Sequence, residues 1–210
     1  MPRRTSALFV LLAVVIAPAA TRGQTGGTLS LGVNVGGHAP ADASAHGGYG
    51  VGPVWRFGHP ETGWGWQWGL NWYKTDIDRT IGGRSVNLGE LHVRPFMAGY
   101  GYTRVFGRAS LTGDVLAGYA LTTLNITPAA DDAYHDQGAR SVSGHASDTL
   151  ALRPELTMWY DVNKTVGVQV NAGYMIARPR VTVSSTLGDD ARRMRADMFG
   201  LKVGVAYSVF

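Results

Sequence analysis

The sequence contains no cysteine. The protein therefore has no disulfide bonds and no cysteine-ligated metal site. Charged residues are only 16% of the 210 residues, and the formal net charge is +4. This weak, scattered charge does not indicate a nucleic-acid-binding protein, because the arginines form no basic stripe. After the N-terminal region no run of 18 apolar residues occurs, which excludes a later transmembrane helix. Glycine, by contrast, is abundant at 29 residues.

The N-terminal segment has the three parts of a secretory signal peptide. It begins with arginines at positions 3 and 4, continues with a short apolar run, and ends in Ala-Pro-Ala-Ala at 17–20. An uncleaved helical anchor is the alternative, but the apolar run is shorter than the roughly 20 residues that span a bilayer. We expect a signal peptide over 1–20, cleaved after Ala19 or Ala20, and one mature domain over 21–210.

The stretch GWGWQWGLNWYKT at 63–75 alternates between two kinds of side chain. Tryptophans occupy positions 64, 66, 68 and 72, whereas most positions between them carry glycine, glutamine or asparagine. A β-strand sends alternate side chains to opposite faces, so this segment predicts a strand between two different environments. Alternation of this kind occurs in eight segments, at roughly 27–37, 47–57, 64–75, 89–105, 109–122, 149–162, 166–178 and 194–210.

The connections between these segments also alternate, in length. Short connections with turn residues follow segments two, four and six, and long ones follow the other segments. Tight turns on one rim and long loops on the other are typical of outer-membrane barrels. We predict an all-β fold, an eight-stranded antiparallel up-and-down transmembrane β-barrel, with long loops at 38–46, 76–88, 123–148 and 179–193.

The apolar rows are predicted to face lipid. A soluble barrel needs a charged outer face, but the second face here is mostly Gly, Ser, Thr, Asn and Gln. Eight strands also enclose too little space for a row of tryptophans. A soluble periplasmic barrel is the alternative. We place aromatic residues near the short-turn rim (Trp55, Phe57, Trp64, Trp66, Phe106, Trp159, Tyr160, Tyr207, Phe210) or higher on the outer wall (Tyr49, Trp72, Tyr73, Tyr119).

The charged residues of the second face are predicted to lie inside the barrel. Unpaired charges are very unfavourable in such a space, so we expect these residues to pair with one another. Because eight strands leave just enough room for side chains, the interior should be plugged. The predicted interior ionic network is Arg56, Glu90, Arg94, Asp114, Arg153, Glu155 and Lys202.

The stretch LALRPELTMWYDVNKTVGVQVNAGYMIARP at 150–179 resembles a strand–turn–strand unit of small eight-stranded outer-membrane β-barrel proteins of Gram-negative bacteria, the OmpA-like, OmpX-like and OmpW-like barrels. The resemblance implies a monomer in the outer membrane, exported by its signal peptide, with lipid and the barrel assembly machinery as partners. In that family the last strand ends in Phe with apolar residues in the same phase. Here Phe210 is last, but Tyr207 and Val205 have the opposite phase.

The favoured function is non-catalytic: a structural, adhesive or LPS-binding role through the long loops, without cofactor or metal. Arginine binds phosphate bidentately, which makes LPS contact a reasonable role for the arginines in and around the fourth long loop. Internal pairing with Asp189 and Asp190 is the alternative. The candidate LPS-binding residues are Arg178, Arg180, Arg192, Arg193 and Arg195.

Three other functions stay open. A lipid A-modifying enzyme would use His145, Ser147 and Glu155 as a His-Ser-acid arrangement, although Glu155 has inward parity. A porin-like channel for small solutes would need an open interior. A divalent cation could bind carboxylates and imidazoles of the longest loop, although their spacing matches no known template; these residues are Asp131, Asp132, His135, Asp136 and Asp148.

Overall fold

The computed structural model describes residues 29–58 and 60–209. The predicted signal peptide and Phe210 lie outside the described residues. The elements in chain order are β1 (Leu29–Pro40), β2 (Gly48–Phe57), β3 (Gly63–Leu70), β4 (Tyr73–Ile81), β5 (Arg84–Phe106), β6 (Ala109–Ile126), α1 (Pro128–Asp136), β7 (Val142–Ala146), β8 (Thr149–Asp161), β9 (Val166–Ala177), β10 (Arg180–Ser185), β11 (Gly188–Arg193) and β12 (Met198–Ser208).

The described strands form one antiparallel curled sheet with the order β2-β1-β12-β9-β8-β6-β5-β3, and β4 also pairs with β5. Because β3 and β4 follow each other along β5, they are one wall strand interrupted at residues 71–72. The wall thus has eight strands, as the sequence predicted. A second sheet has the order β11-β10-β7. No helix within residues 29–58 and 60–209 is long and apolar enough to cross a bilayer.

All four predicted long loops overlap regular structure, and in 38–46 this is only the end of β1. The segment 76–88 belongs mostly to the β4–β5 hairpin, 123–148 contains α1 and β7, and 179–193 contains the β10–β11 hairpin. Helix α1 begins where the Thr127 hydroxyl accepts a hydrogen bond from the Ala130 N–H at 3.2 Å, as a capping threonine does. These extensions lie on the upper rim of the wall, and the short turns lie on the lower rim.

The lower part of the wall, called the belt, has apolar side chains outside. The tryptophans of β3 face outward, and Trp64 stacks on Tyr100 with ring centroids 5.8 Å apart. On β12 the outward apolar row runs from Phe199 to Tyr207, which corresponds to a height of about 20 Å for a strand tilted by roughly 40°. Exposed belt residues include Leu31, Val33, Val35, Trp66, Tyr102, Val115, Leu156, Met158, Val203 and Val205.

The upper part of the wall, called the cap, has the reverse polarity. Leu91 and Val93 on β5 are fully buried, while His92 between them lies on the outer face. Glu90 and Arg94 lie on this outer face too, so their predicted place in the interior network is wrong. The reason is that upper β5 packs against a hydrophobic core. This core includes Tyr73, Ile77, Ile81, Leu88, Leu116, Leu124, Met175, Val181, Val183, Met194 and Met198.

The interior of the belt holds the other five predicted ionic residues. Arg153 is the centre of the network. Its Nε lies 2.8 Å from a Glu155 carboxylate oxygen, and it donates hydrogen bonds to Tyr73 Oη at 2.8 Å and Asn171 Oδ1 at 2.6 Å. Asp114 is also buried and lies directly opposite Glu155 in the β6–β8 ladder. These side chains occupy the interior at this level.

Two further charged side chains, Lys202 and Arg56, also lie inside the belt. Lys202 donates a hydrogen bond to Asn71 Oδ1. Near the lower rim, Arg56 donates to Asp161 at 2.7 Å, and its guanidinium lies 4.2 Å from the centre of the Trp159 ring. Trp159 is therefore inside and only 6% exposed, which corrects its predicted place in the outer aromatic girdle. Tyr73, also predicted on the outer wall, is likewise buried inside.

The wall is incompletely paired at one place. Among the described residues, β2 and β3 share no ladder, and the connection here is an isolated bridge between Val51 and Trp72. The Trp72 N–H donates to the Val51 carbonyl at 3.3 Å, so Val51 directs its backbone groups toward β4. Pro53, two residues along, presents the same edge but has no N–H to donate. The wall thus differs here from a fully hydrogen-bonded barrel.

Candidate anion-binding site on the outer wall

One long hairpin extends from the belt into the cap. In the belt, Tyr174 on β9 lies opposite Phe199 on β12, and in the cap Arg180 on β10 lies opposite Arg193 on β11. The register is the same in both sections. Two backbone hydrogen bonds maintain it between them, from the Ala196 N–H to the Ala177 carbonyl at 3.0 Å and from the Met194 N–H to the Pro179 carbonyl at 2.9 Å.

The alternation of this hairpin places four arginines together on the outer wall. Val181 and Met194 face the hydrophobic core of the cap. The residues that alternate with such core residues therefore face outward, and all four arginines among them are exposed. We call them the arginine quartet. It consists of a lower pair, Arg178 opposite Arg195, and an upper pair, Arg180 opposite Arg193.

A buried carboxylate holds the lower pair. Asp197 has a side chain only 3% exposed, and its Oδ2 lies 3.8 Å from Nη2 of Arg178 and 3.6 Å from Nε of Arg195. Its Oδ1 accepts a hydrogen bond from the Ala177 N–H at 3.1 Å. Two arginines share one carboxylate, so the lower pair keeps a net charge of +1 while its guanidiniums are held near the wall.

The upper pair has a fixed backbone but no such counter-charge. The Arg180 N–H donates to Ser147 Oγ at 2.9 Å, and the Arg180 carbonyl accepts from the Ser147 N–H at 2.8 Å. Within the described part of the chain, no carboxylate pairs with Arg180 or Arg193. Like charges directly opposite each other destabilise a sheet. A bound anion would therefore remove a repulsion at this position.

Arg192, the fifth predicted arginine, lies on the other face of the hairpin. It is opposite Val181, whose side chain is buried in the cap. Two residues before it, Asp190 pairs with Arg79 on β4, which connects the hairpin to the far side of the barrel mouth. Asp190 is thus occupied by Arg79 and not by any of the five arginines. The structure divides the predicted set into four outer arginines and one inner one.

The predicted enzyme residues are not brought together. His145 lies opposite Thr182 on β10, whereas Glu155 lies opposite Gly173 on β9. Since β10 continues the direction of β9, these two positions are roughly 30 Å apart along the strand. Glu155 also points inside and pairs with Arg153. The Ser147 hydroxyl accepts a hydrogen bond from the Arg180 backbone. No reacting arrangement of these three side chains exists in the structure.

The acidic residues of the longest loop are spread over α1 and its flanks. His135 Nδ1 lies 3.7 Å from an Asp131 carboxylate oxygen, one helical turn earlier. In residues 29–58 and 60–209, no group of three or more His, Asp or Glu side chains is arranged to hold a metal ion.

The chain matches no known family model and no curated protein sequence. Among solved structures, the outer membrane protein OprG from Pseudomonas aeruginosa superimposes with a TM-score of 0.71, covering 89% of this chain and 97% of OprG. The sequence identity of this pair is 14%, so the likeness concerns the fold.

The chain has the fold of the small outer-membrane β-barrels. Two further solved structures superimpose less well, and no conclusion is based on them. Neisserial surface protein A has a TM-score of 0.49 and 9% identity over 89% of this chain and 99% of its own. Ail of Yersinia pestis has a TM-score of 0.41 and 11% identity over 87% of this chain and 97% of its own. The candidate site on this barrel is the quartet on its upper wall.

Proposed function

We propose that this protein is an integral barrel of the outer membrane that binds lipopolysaccharide, without catalysis, through the arginine quartet. One observation carries the proposal: the quartet faces outward above the lipid-facing pair Tyr174 and Phe199, with one outward position, that of Ile176, between them. Side chains at this place border the layer in which the phosphates of lipid A lie. Guanidinium groups bind phosphate with two parallel hydrogen bonds, which makes this geometry suitable for LPS.

The test compares the quartet with Arg192, which is exposed on the same hairpin but faces the other way. One variant replaces Arg178, Arg180, Arg193 and Arg195 with alanine, and the control is Arg192→Ala. Both are extracted from outer membranes in mild detergent, and LPS that co-purifies is quantified. We expect at least a tenfold loss in the quartet variant, because each charge-assisted hydrogen bond contributes about 1.5–3 kcal/mol, and wild-type LPS in the control.

Folding of both variants is verified by heat-modifiable gel mobility, so that a misassembled barrel is not scored as a binding defect. If a folded quartet variant retained the wild-type amount of LPS, the proposed function would be wrong. Equal losses in the quartet variant and in Arg192→Ala would also contradict it, since general positive charge would then explain the binding.

A channel function has less support from the geometry. The belt interior is occupied around Arg153, and the cap interior is occupied by the hydrophobic core. We therefore expect no stepwise conductance from the wild-type protein in planar bilayers. A lipid A-modifying activity has less support for a different reason, which is the distance between His145 and Glu155 along the wall. Alanine at His145 and Ser147 should leave lipid A acylation unchanged.

A further inference from the structure

The two pairs of the quartet lie at different heights above the belt. On β9 the last outward apolar residue is Ile176, and Arg178 and Arg180 follow it in the same phase. With a rise of about 3.3 Å per residue and a tilt of roughly 40°, Arg178 lies about 5 Å above Ile176 and Arg180 about 10 Å above it. The headgroup layer on one side of a bilayer is only about 5 to 8 Å thick.

The two pairs therefore meet different parts of an LPS molecule. The lower pair lies within the headgroup layer, where the phosphates of lipid A are attached to its sugars. The upper pair lies above that layer, where the core oligosaccharide of LPS begins. The backbone of the upper pair thus lies above the layer that holds the phosphates of a phospholipid or of lipid A.

The pairs also differ in charge. Asp197 neutralises part of the lower pair, which retains +1, whereas the upper pair retains the full +2. A phosphate monoester carries about −1.5 to −2 at neutral pH, so the upper pair can balance the charge of one such group almost completely and the lower pair only in part. The spacing between the pairs is stiff as well. Pro179, which separates Arg178 from Arg180, is fully buried and has a fixed φ angle, and Ser147 fixes the Arg180 backbone from the other side.

We propose that the upper pair, Arg180 and Arg193, binds a phosphate on the core oligosaccharide of LPS, while the lower pair binds lipid A. This inference rests on the proposed function and deepens it, because it assigns a ligand group to each pair. The protein then distinguishes LPS with a phosphorylated core from LPS with the same sugars and no core phosphate.

The experiment uses the full mature chain in nanodiscs of zwitterionic lipid and two double variants. The upper variant is Arg180→Ala with Arg193→Ala, and the lower variant is Arg178→Ala with Arg195→Ala. Each is titrated with lipid A, with core-phosphorylated LPS and with the same LPS lacking core phosphate. Inorganic phosphate is added as a competitor at the same concentration, which tests whether a free anion alone fills the site.

The wild-type protein should bind core-phosphorylated LPS at least tenfold more tightly than the core-dephosphorylated form. In the upper variant this ratio should fall to about one, with lipid A affinity unchanged within about twofold. In the lower variant, affinity for all three should fall, and the ratio should persist. Inorganic phosphate should displace none of them.

Different failures have different meanings. If the upper variant weakens lipid A and both LPS forms equally, or if the wild-type protein shows no preference for core phosphate, the inference is overturned, while the proposed function stands as long as the lower variant loses lipid A. Displacement by inorganic phosphate overturns it too, since a free anion then suffices. If neither variant changes any affinity, the proposed function itself fails.

Discussion

The belt and the cap are two parts of the same wall with opposite polarity. In the belt, Val203 is exposed on the outer face and Arg153 is buried inside; in the cap, Arg94 is exposed outside and Val93 is buried inside. Both parts alternate with a period of two residues. Alternation therefore establishes that a strand separates two environments, but the surrounding solvent decides which face is apolar.

The strand β5 crosses from one part to the other and shows how the reversal is built. Its outward residues change from Tyr102 and Tyr100 in the belt to Arg94 and His92 in the cap. The β5–β6 register is unbroken from Phe106 to Gly89. The direction of each side chain thus stays regular along the strand, and only the chemical type at each parity changes.

The largest effect is expected from breaking the ionic centre of the belt. Replacing Arg153 with methionine leaves Glu155 buried without its cationic partner, and removing one member of a buried pair costs about 3–5 kcal/mol. The free energy of unfolding, measured by urea titration in lipid vesicles, should fall by that amount.

The matched control adds Glu155→Gln to Arg153→Met. The second substitution removes the unpaired charge, so the double variant should be more stable than Arg153→Met alone. If the two losses simply add, the ion pair is not the centre of the belt interior, and the contrast between an ionic belt and an apolar cap is weaker than described.

The second prediction compares an arginine introduced on the outer face of the belt with one introduced on the outer face of the cap. Val203→Arg introduces a cation at the middle of the lipid-facing row and should cost about 2–4 kcal/mol. Thr123→Arg introduces it on the outer face of β6 in the cap, where Thr123 is exposed, and should change stability by less than about 0.5 kcal/mol. The same unfolding assay compares them. Similar costs at both positions would show that lipid extends over the cap.

The number of wall strands could be predicted from the sequence, but the change of polarity between the belt and the cap could not. Eight alternating segments predicted eight strands, and seven charged residues were placed inside by parity. Five of them are inside, but Glu90 and Arg94 are not. Local parity could not reveal that the environment changes, because that depends on what surrounds each part of β5 in the folded protein.

The arginines of the candidate site could be predicted only as one group, without their division between the two faces of the hairpin. The five arginines were identified by their place in and around the fourth long loop, but their division needed the register of the β10–β11 hairpin. The Arg-Pro-Arg spacing at 178–180 already placed two side chains in one phase. The role of Asp197 had no signal in the sequence, because its contacts with Arg178 and Arg195 depend on the register between the two strands of the hairpin.

The smallest effect is expected from an ion pair on the outer face of the cap. The hydrogen bond from Lys74 holds the pKa of the Glu90 carboxyl below its ordinary value, and it raises the pKa of Lys74. A lowered carboxyl pKa adds stability above the unfolded-state value, and this contribution is lost as the pH falls through the folded-state value. Both side chains are substantially exposed, so salt and water screen the pair.

Lys74→Gln should therefore shift the urea midpoint at pH 7 by an amount near the resolution of the measurement. The difference from the wild-type protein should vanish as the pH falls through the lowered folded-state pKa of Glu90, and also in concentrated salt. The loss at Lys74 should be much smaller than the loss at Arg153, because an ion pair contributes strongly to stability only where water is excluded. A loss at Lys74 as large as the loss at Arg153 would mean that lipid or protein covers this face, and the boundary between belt and cap would then lie above Lys74.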